Sequence, residues 1–345
     1  MKFSSLGSVL LAAVGAAAEA SSQSSSTSVL AEQQRNSTYY NPILPGWHSD
    51  PSCAQVDGIF YCVTSTFISF PGLPVYASRD LANWKLIGHA WSRETQIPDV
   101  SWNTSAQQQG MYAATLRYHK GVFYVICEYL GAGLGYNLGV VFKSRDPLRG
   151  DESWSDPVTF KTNKIDPDLF WDIDEKDGKE KAYVATQGIL LQEISLETGE
   201  LSQPPLSIWN GTGGVWPEGP HLYKKDGWYY LMIAEGGTET NHSITIARSR
   251  KLKGPYTAYE NNPILTNRGT DEYFQTVGHG DLFQDTKGNW WGVALATRSG
   301  PEWEVYPSEY LPLRVVCLLL RIPFIDGSQP QNLDRSLFKT SKTYY

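Results

Sequence analysis

Residues 219–235 read GPHLYKKDGWYYLMIAE: an apolar run, a charged turn closing on Asp226-Gly227, and a second apolar run centred on Tyr230. Asp-Gly between two such runs is a strong short-range signal for a hairpin. The unit recurs in DPSCAQVDGIFYCVTS from Asp50, AATLRYHKGVFYVICE from Ala113, DPDLFWDIDEKDGKEKAYVATQ from Asp166 and GHGDLFQDTKGNWWGVALAT from Gly278. The central aromatics Tyr61, Tyr124, Tyr183, Tyr230 and Trp291 return at a period of roughly 50–60 residues, the mark of a β-propeller. Three units run on into a further strand and a charged turn, in VYASRDLANW, VFKSRDPLRG and IARSRKLKGP. Helical periodicity is nearly absent after the N-terminal segment. The expected fold is therefore all-β, a five-bladed β-propeller. A β-sandwich with similar hairpins is the competing arrangement, and it leaves the repeated third strand unexplained.

In a propeller the first strand of each blade lines the central channel. Aligning the units on their turns places Asp50, Ala113, Asp166, Glu218 and His279 together at one mouth of that channel. A turn-forming role accounts for an Asp-Pro, but Glu is a poor turn residue. Converging acids suit glycosidic-bond hydrolysis, in which one carboxylic acid protonates the leaving oxygen and a carboxylate activates water or attacks carbon. A third acid orients the pair and raises the pKa of the proton donor. Three carboxylates and a His can also hold Ca²⁺ or Mn²⁺. Phe70, ahead of Pro71-Gly72, and Tyr112 are the leading candidates for stacking on a sugar ring; Trp47, Phe67, Trp102 and Trp216 lie on neighbouring mouth-side segments.

The net charge of −7 and the lack of a basic run argue against nucleic acid as a partner. Residues 1–20 read as a secretory signal peptide, one Lys before a short apolar run ending in Ala-Glu-Ala, too short to span a bilayer. A Ser-rich linker follows over 21–38. N-glycosylation sequons at Asn36, Asn103, Asn210 and Asn241 fit a secreted, extracellular glycoprotein. A turn at Asp57-Gly58 pairs Val56 with Ile59 and sets Cys53 opposite Cys62, where a cross-strand disulfide or two buried thiols are both compatible with the spacing.

NPILPGWHSDPS, IDPDLFWD and EGPHLYKKDGWYYLMIAEGGT together resemble the signature regions of glycoside hydrolase family 43. SFPGLPVYASRDLANWKLIGHA and NHSITIARSRKLKGPY resemble its β-xylosidase and α-L-arabinofuranosidase branch, over about residues 39–306. The resemblance implies a five-bladed propeller and hydrolysis with inversion, acting on xylan- or arabinan-derived oligosaccharides with no required cofactor. It implies Asp50 as general base, Glu218 as general acid and Asp166 as the residue that tunes and orients Glu218. Asp168 matches no catalytic position. Arg298 matches a substrate-binding Arg, and His279 an axial His near a water or calcium ion. Two departures stand out: Ser49 where the family has Pro, and Tyr112-Ala113-Ala114-Thr115 where it has a Trp-Ala-Pro. Both bear on the sugar subsite and neither removes a carboxylate.

The resemblance fades near Pro307. Residues 307–345 continue no blade pattern, and Pro312, Arg314, Arg321 and Pro323 exclude a membrane helix. They are expected to form an irregular tail in place of the β-sandwich domain of relatives. Non-enzymatic sugar binding and a retaining, fructan-hydrolase type of mechanism are the rival functions.

Overall fold

The computed structural model describes residues 39–98, 106, 109–131, 136–298 and 315–322. The leader and linker, Asn36, Trp102 and Asn103 lie outside the described residues.

The hairpins form where the turn chemistry demands. Asp57-Gly58, Lys120-Gly121 and Asp226-Gly227 carry positive φ at both positions, as a type I′ turn requires. The first sheet contains β1 (Ser49–Val56), β2 (Ile59–Ser65), β3 (Gly72–Ser78) and β4 (Lys85–Trp91). The second contains β5 (Gly110–His119), β6 (Val122–Leu130), β7 (Asn137–Ser144) and β8 (Val158–Thr162). The third is β9 (Asp168–Ile173), β10 (Glu180–Thr186), β11 (Leu190–Glu193) and β12 (Leu206–Ser207). The fourth is β13 (Glu218–Lys225), β14 (Trp228–Glu235), β15 (Ser243–Ser249) and β16 (Thr257–Ala258), and the last is β17 (Phe274–Gln284), β18 (Trp290–Arg298) and β19 (Val315–Ile322). Each sheet is an antiparallel meander in chain order.

The architecture is an all-β propeller. β1 packs beside β5, β5 beside β9, β9 beside β13, β13 beside β17, and β17 returns to β1. Apolar layers fill the gaps between successive sheets: Val63 and Val75 meet Val125 and Phe142, Ile126 and Val141 meet Leu169 and Val184, and Ile246 meets Val277. Strands such as β2, covered on both faces, are buried throughout. The five central aromatics sit at matching places, in the pairs Ala54–Tyr61, Arg117–Tyr124, Phe170–Tyr183, Tyr223–Tyr230 and Phe283–Trp291. Cys53 lies opposite Cys62 and the two are joined in a disulfide, with Cα atoms 4.1 Å apart.

One stretch of the expected irregular tail differs from expectation, while residues 307–314 and 323–345 lie outside the described residues. Val315–Ile322 is a strand paired with β18 from Trp290–Ile322 to Thr297–Val315. Its hydrophobic run reads as a strand once an edge is available to it, and β18 offers that edge. The N-terminal segment then closes the ring on β19. Ile43 N donates to Cys317 O at 3.1 Å. The Asn41 side chain brackets Leu319, donating to its carbonyl at 3.0 Å and accepting from its amide at 2.7 Å. Ile43, Leu44, Cys317 and Leu319 are buried together with Cys53, Cys62 and Phe283.

The inner strands also converge on a charged hub. Arg117 of β5 lies 2.7 Å from Asp168 of β9 and 2.6 Å from Asp281 of β17, and both carboxylates are wholly buried. Its guanidinium also donates to His221 Nδ1 of β13 at 2.9 Å. Tyr223 donates to Asp281 at 2.6 Å, and Ser52 of β1 donates to the same carboxylate while accepting from Leu116 N at 2.8 Å. Burial alone would raise the Asp281 carboxyl; Arg117 and His221 hold it down to about 2. Arg117→Met would strand two buried carboxylates, so we expect a loss of about 3–5 kcal/mol, read from urea unfolding at neutral pH. A loss below about 1 kcal/mol would show that the hub does not hold the ring.

Candidate functional site

Two residues above the hub, the mouth ends of the inner strands share one backbone feature. Asp50, Ala113, Asp166, Gly219 and His279 have φ of 48°, 49°, 60°, 54° and 40°. Each lies four residues before the partner of a central aromatic, and four of them fall in a register shift of their hairpin. A bulge of this kind kinks the strand end and re-aims its side chain. Among residues with a Cβ, Asp, Asn and His enter the left-handed region most readily, which fits two Asp and one His at these places.

The structural equivalent of Asp50 and Asp166 is Gly219, so Glu218 stands one residue earlier than the turn-based alignment places it. Glu218 is paired opposite Ala234 and half-buried, whereas Asp50 and Asp166 are buried. The same bulge is present in the first and second inner strands, and a count of seven residues back from the turn selects Gly219 just as it selects Asp50 and Ala113.

The three acids are linked through their neighbours. Ser65 Oγ donates to Asp50 Oδ2 at 2.7 Å, and His279 Nδ1 lies 3.6 Å from Asp50 Oδ1. Gly219 N donates to Asp166 Oδ2 at 2.8 Å, which ties Asp166 to the residue beside Glu218. Gln187 Nε2 donates to Glu218 Oε2 at 3.3 Å. Loss of hydration, and then the charge of Asp166, push the Glu218 carboxyl up to about 7. Burial, and then Asp50, push Asp166 up as well, against the stabilising amide of Gly219.

The other expected residues are spread around this floor. Phe70 is 45% exposed, its ring edge-on to Trp91 at 5.0 Å. Tyr112 is half-buried, edge-on to Phe67 at 4.6 Å, and Phe67 meets Trp47 at 5.1 Å. Arg298 ends β18 opposite Phe274, on the mouth side of Gly278. Trp216, 64% exposed, precedes Glu218 by two residues. Among the described residues no group of three or more His, Cys, Asp or Glu is arranged to hold a metal ion. A calcium ion needs an oxygen-rich cage, and His279 with Asp50 alone does not form one.

Two buried acids belong to the site without having been singled out from the sequence. Glu128 accepts from Asp166 N at 3.1 Å. Glu235 accepts from Thr212 N at 2.9 Å, Thr212 Oγ1 at 2.8 Å, Gly214 N at 3.1 Å and Thr245 Oγ1 at 2.6 Å. It thereby pins the loop that leads to Trp216 and Glu218. The available signal was a lone carboxylate inside an apolar strand, in YVICEYL and YLMIAEGG, where an unpaired charge is not tolerated.

Residues 39–327 match the family described as Glycosyl hydrolases family 43. A non-reducing end alpha-L-arabinofuranosidase of Bacteroides ovatus is 44% identical over 267 residues, covering 76% of this chain and 48% of its own. A xylan 1,3-beta-xylosidase of a Vibrio species is 37% identical over 288 residues, covering 80% of this chain and 52% of its own. The crystal structure of a family 43 protein from Bacillus licheniformis superposes with a TM-score of 0.76 at 36% identity, covering 86% of this chain and 57% of that one. The chain thus spans about half the length of the curated relatives it matches.

Gly219 tests the bulge. A Cβ there would meet the His279 ring at 3.4 Å, ordinary contact, so only the left-handed backbone opposes it. Gly219→Ala should cost about 1–2 kcal/mol of stability; an unchanged urea midpoint would mean that the strand end rearranges freely.

Proposed function

The chain belongs to glycosyl hydrolase family 43, and from that membership we propose that it is a secreted glycosidase. In this reading it removes xylosyl or arabinofuranosyl units from hemicellulose-derived oligosaccharides, with inversion at the anomeric carbon and on a five-bladed propeller. The observation that carries the reading is the meeting of Asp50, Asp166 and Glu218, from three different sheets, at one mouth of the channel, with Asp166 bonded to the residue beside Glu218. Five sheets among the described residues, closed by contacts between successive inner strands, support the blade number.

Glu218 is assigned the general acid. Its raised carboxyl keeps a proton near neutral pH, and its partial exposure lets it reach a leaving oxygen. Asp50 is assigned the general base, with Oδ2 held by Ser65 and Oδ1, 3.6 Å from His279 Nδ1, taking a proton from water. As the C–O bond to the leaving sugar breaks, Glu218 delivers its proton to that oxygen. Water attacks the anomeric carbon from the opposite face and gives its proton to Asp50. Asp166 holds Gly219 and its charge raises the Glu218 carboxyl, which favours the protonated state of Glu218. Phe70, Tyr112 and Arg298 are assigned to the sugar subsite. The reading requires no cofactor and routes no step through a calcium ion at His279.

The names of the relatives divide between arabinofuranosidase and xylosidase. These pentoses are close in volume, and a few pocket hydrogen bonds separate them. Secretion is supported by the leader-like N-terminus, the Cys53–Cys62 disulfide and the exposure of Asn210 and Asn241. No helix among the described residues is long and apolar enough to cross a membrane.

The test is turnover of an aryl β-xyloside and an aryl α-arabinofuranoside, with NMR of the first product formed. Turnover with an inverted anomer is expected. A retained anomer overturns the assignment of Asp50, and turnover of neither sugar overturns the enzyme reading.

Asp50→Asn and Glu218→Gln should each lower kcat/KM on an unactivated disaccharide by about 10²–10⁴. Glu218→Gln should spare an activated aryl glycoside, whose leaving group needs little protonation. Equal losses on both substrates would remove Glu218 from its role.

Because Glu218 must hold its proton, kcat/KM should fall as pH rises through about 7. Asp166→Asn removes the neighbouring charge and should move that alkaline limb down by about one pH unit or more. An unmoved limb would detach Asp166 from the tuning of Glu218.

A further inference from the structure

Glu128 lies near the end of β6, opposite Tyr112, and is fully buried. One oxygen accepts from Asp166 N at 3.1 Å; the other, equally buried, has no hydrogen-bond partner among the described residues. The groups facing it are Asp50 from β1, Asp166 ahead of β9 and the Cys127 thiol beside it on β6, and the charges acting on it are of like sign. A carboxylate held only by main-chain amides and faced by two acidic neighbours would be a costly thing to bury. A carboxylic acid of the same shape is far cheaper.

We propose that Glu128 is a positioning residue: it stands uncharged and fixes the main chain of Asp166, and through it the general acid. The proposal rests on the assignment of Glu218 as that acid. The connection is continuous. Glu128 Oε1 holds the Asp166 amide where φ is 60°, Asp166 Oδ2 holds the Gly219 amide at 2.8 Å, and Gly219 adjoins Glu218. The same level of the neighbouring second strands supplies the same kind of link to the next sheet. Ser65 Oγ accepts from Ala114 N at 3.4 Å, and Gln187 reaches Glu218 at 3.3 Å. Of Ser65, Glu128 and Gln187, only Glu128 can ionise, and it is the one that faces both Asp50 and Asp166. Burial, then Asp166, keep its carboxyl well above the usual range, in agreement with an uncharged state.

Two variants separate the parts of the proposal. Glu128→Gln keeps an uncharged acceptor; Glu128→Met keeps the size and removes the acceptor. The first measurement is urea unfolding of wild type and Glu128→Gln from pH 5 to 8. A carboxyl raised on folding contributes stability below its unfolded value of 4.5 and loses it as pH climbs toward the folded value. Wild type should therefore lose up to about tenfold in its folding equilibrium, relative to Glu128→Gln, for each pH unit across that range. Parallel curves would overturn the uncharged state.

The second measurement is a crystal structure of each variant. Asp166 should keep its left-handed φ in Glu128→Gln and leave it in Glu128→Met; an unmoved Asp166 in Glu128→Met overturns the positioning role. The third is kinetic. Glu128→Met should lower kcat by about 10–100-fold with a smaller change in KM, as misplacement of a catalytic group does, and Glu128→Gln should recover most of the loss. Wild-type kcat in Glu128→Met would overturn the link to Glu218. The first two measurements need no turnover. If they succeed while wild type hydrolyses neither aryl glycoside, the enzyme reading fails and the hold of Glu128 on Asp166 stands.

Discussion

The ion pair of Arg117 with Asp168 and Asp281 is the constraint on which the rest depends. Inner strands of a propeller have little apolar surface to share on the axis, because their side chains there meet across a narrow channel. In this chain a guanidinium from β5 meets carboxylates from β9 and β17, an imidazole from β13 and, through Asp281, a hydroxyl from β1. The low dielectric of a buried axis strengthens each contact and equally penalises any vacancy. The inner strands are thereby held in one register relative to each other, and the apolar layers between sheets can then pack.

That register decides what the mouth can do. Above the hub each inner strand carries a left-handed residue at its mouth end, and four of the five break the ladder there. Backbone strain of this kind persists only where the surroundings over-determine it. Here the hub lies below, and side chains from second strands, Ser65 and Glu128 among them, grip the strand ends from the side. The one-residue offset of Glu218 relative to Asp50 and Asp166 puts it at the place of Ser49 and Tyr112, on the outer side of the same bulge. It gives the fourth sheet a longer, more accessible acid, while the two Asp remain at the buried floor.

Much of this was legible in the chain. The Asp-Gly and Lys-Gly turns announced the hairpins, and the aromatic that follows each turn fixed the repeat so well that all five central aromatics fall at equivalent places. The acids of the mouth were visible because they recur at strand starts. What escaped was non-local. Val315–Ile322 becomes a strand only because β18 and Asn41 offer it partners far away in sequence. Neither Glu128 nor Arg117 announces the strand it will face. Periodicity reports which face a residue takes; it does not report what waits on the other side of an axis.

The two layers also show how one set of strands keeps acids in opposite states. His279-Gly280-Asp281 places the Asp281 carboxyl at the level of Arg117, where opposite charge holds it down to about 2. Asp166 and Glu218 lie one layer above, where burial pushes both carboxyls up, aided by the charge of Asp50 on Asp166 and of Asp166 on Glu218. Chemistry that needs a proton donor near neutral pH gains from such a separation, since environment and not residue type sets the role of each carboxyl. The distance between layers is a single pleat of the strand. The Arg117 guanidinium can therefore bind the blades together while the acids one layer above stay raised.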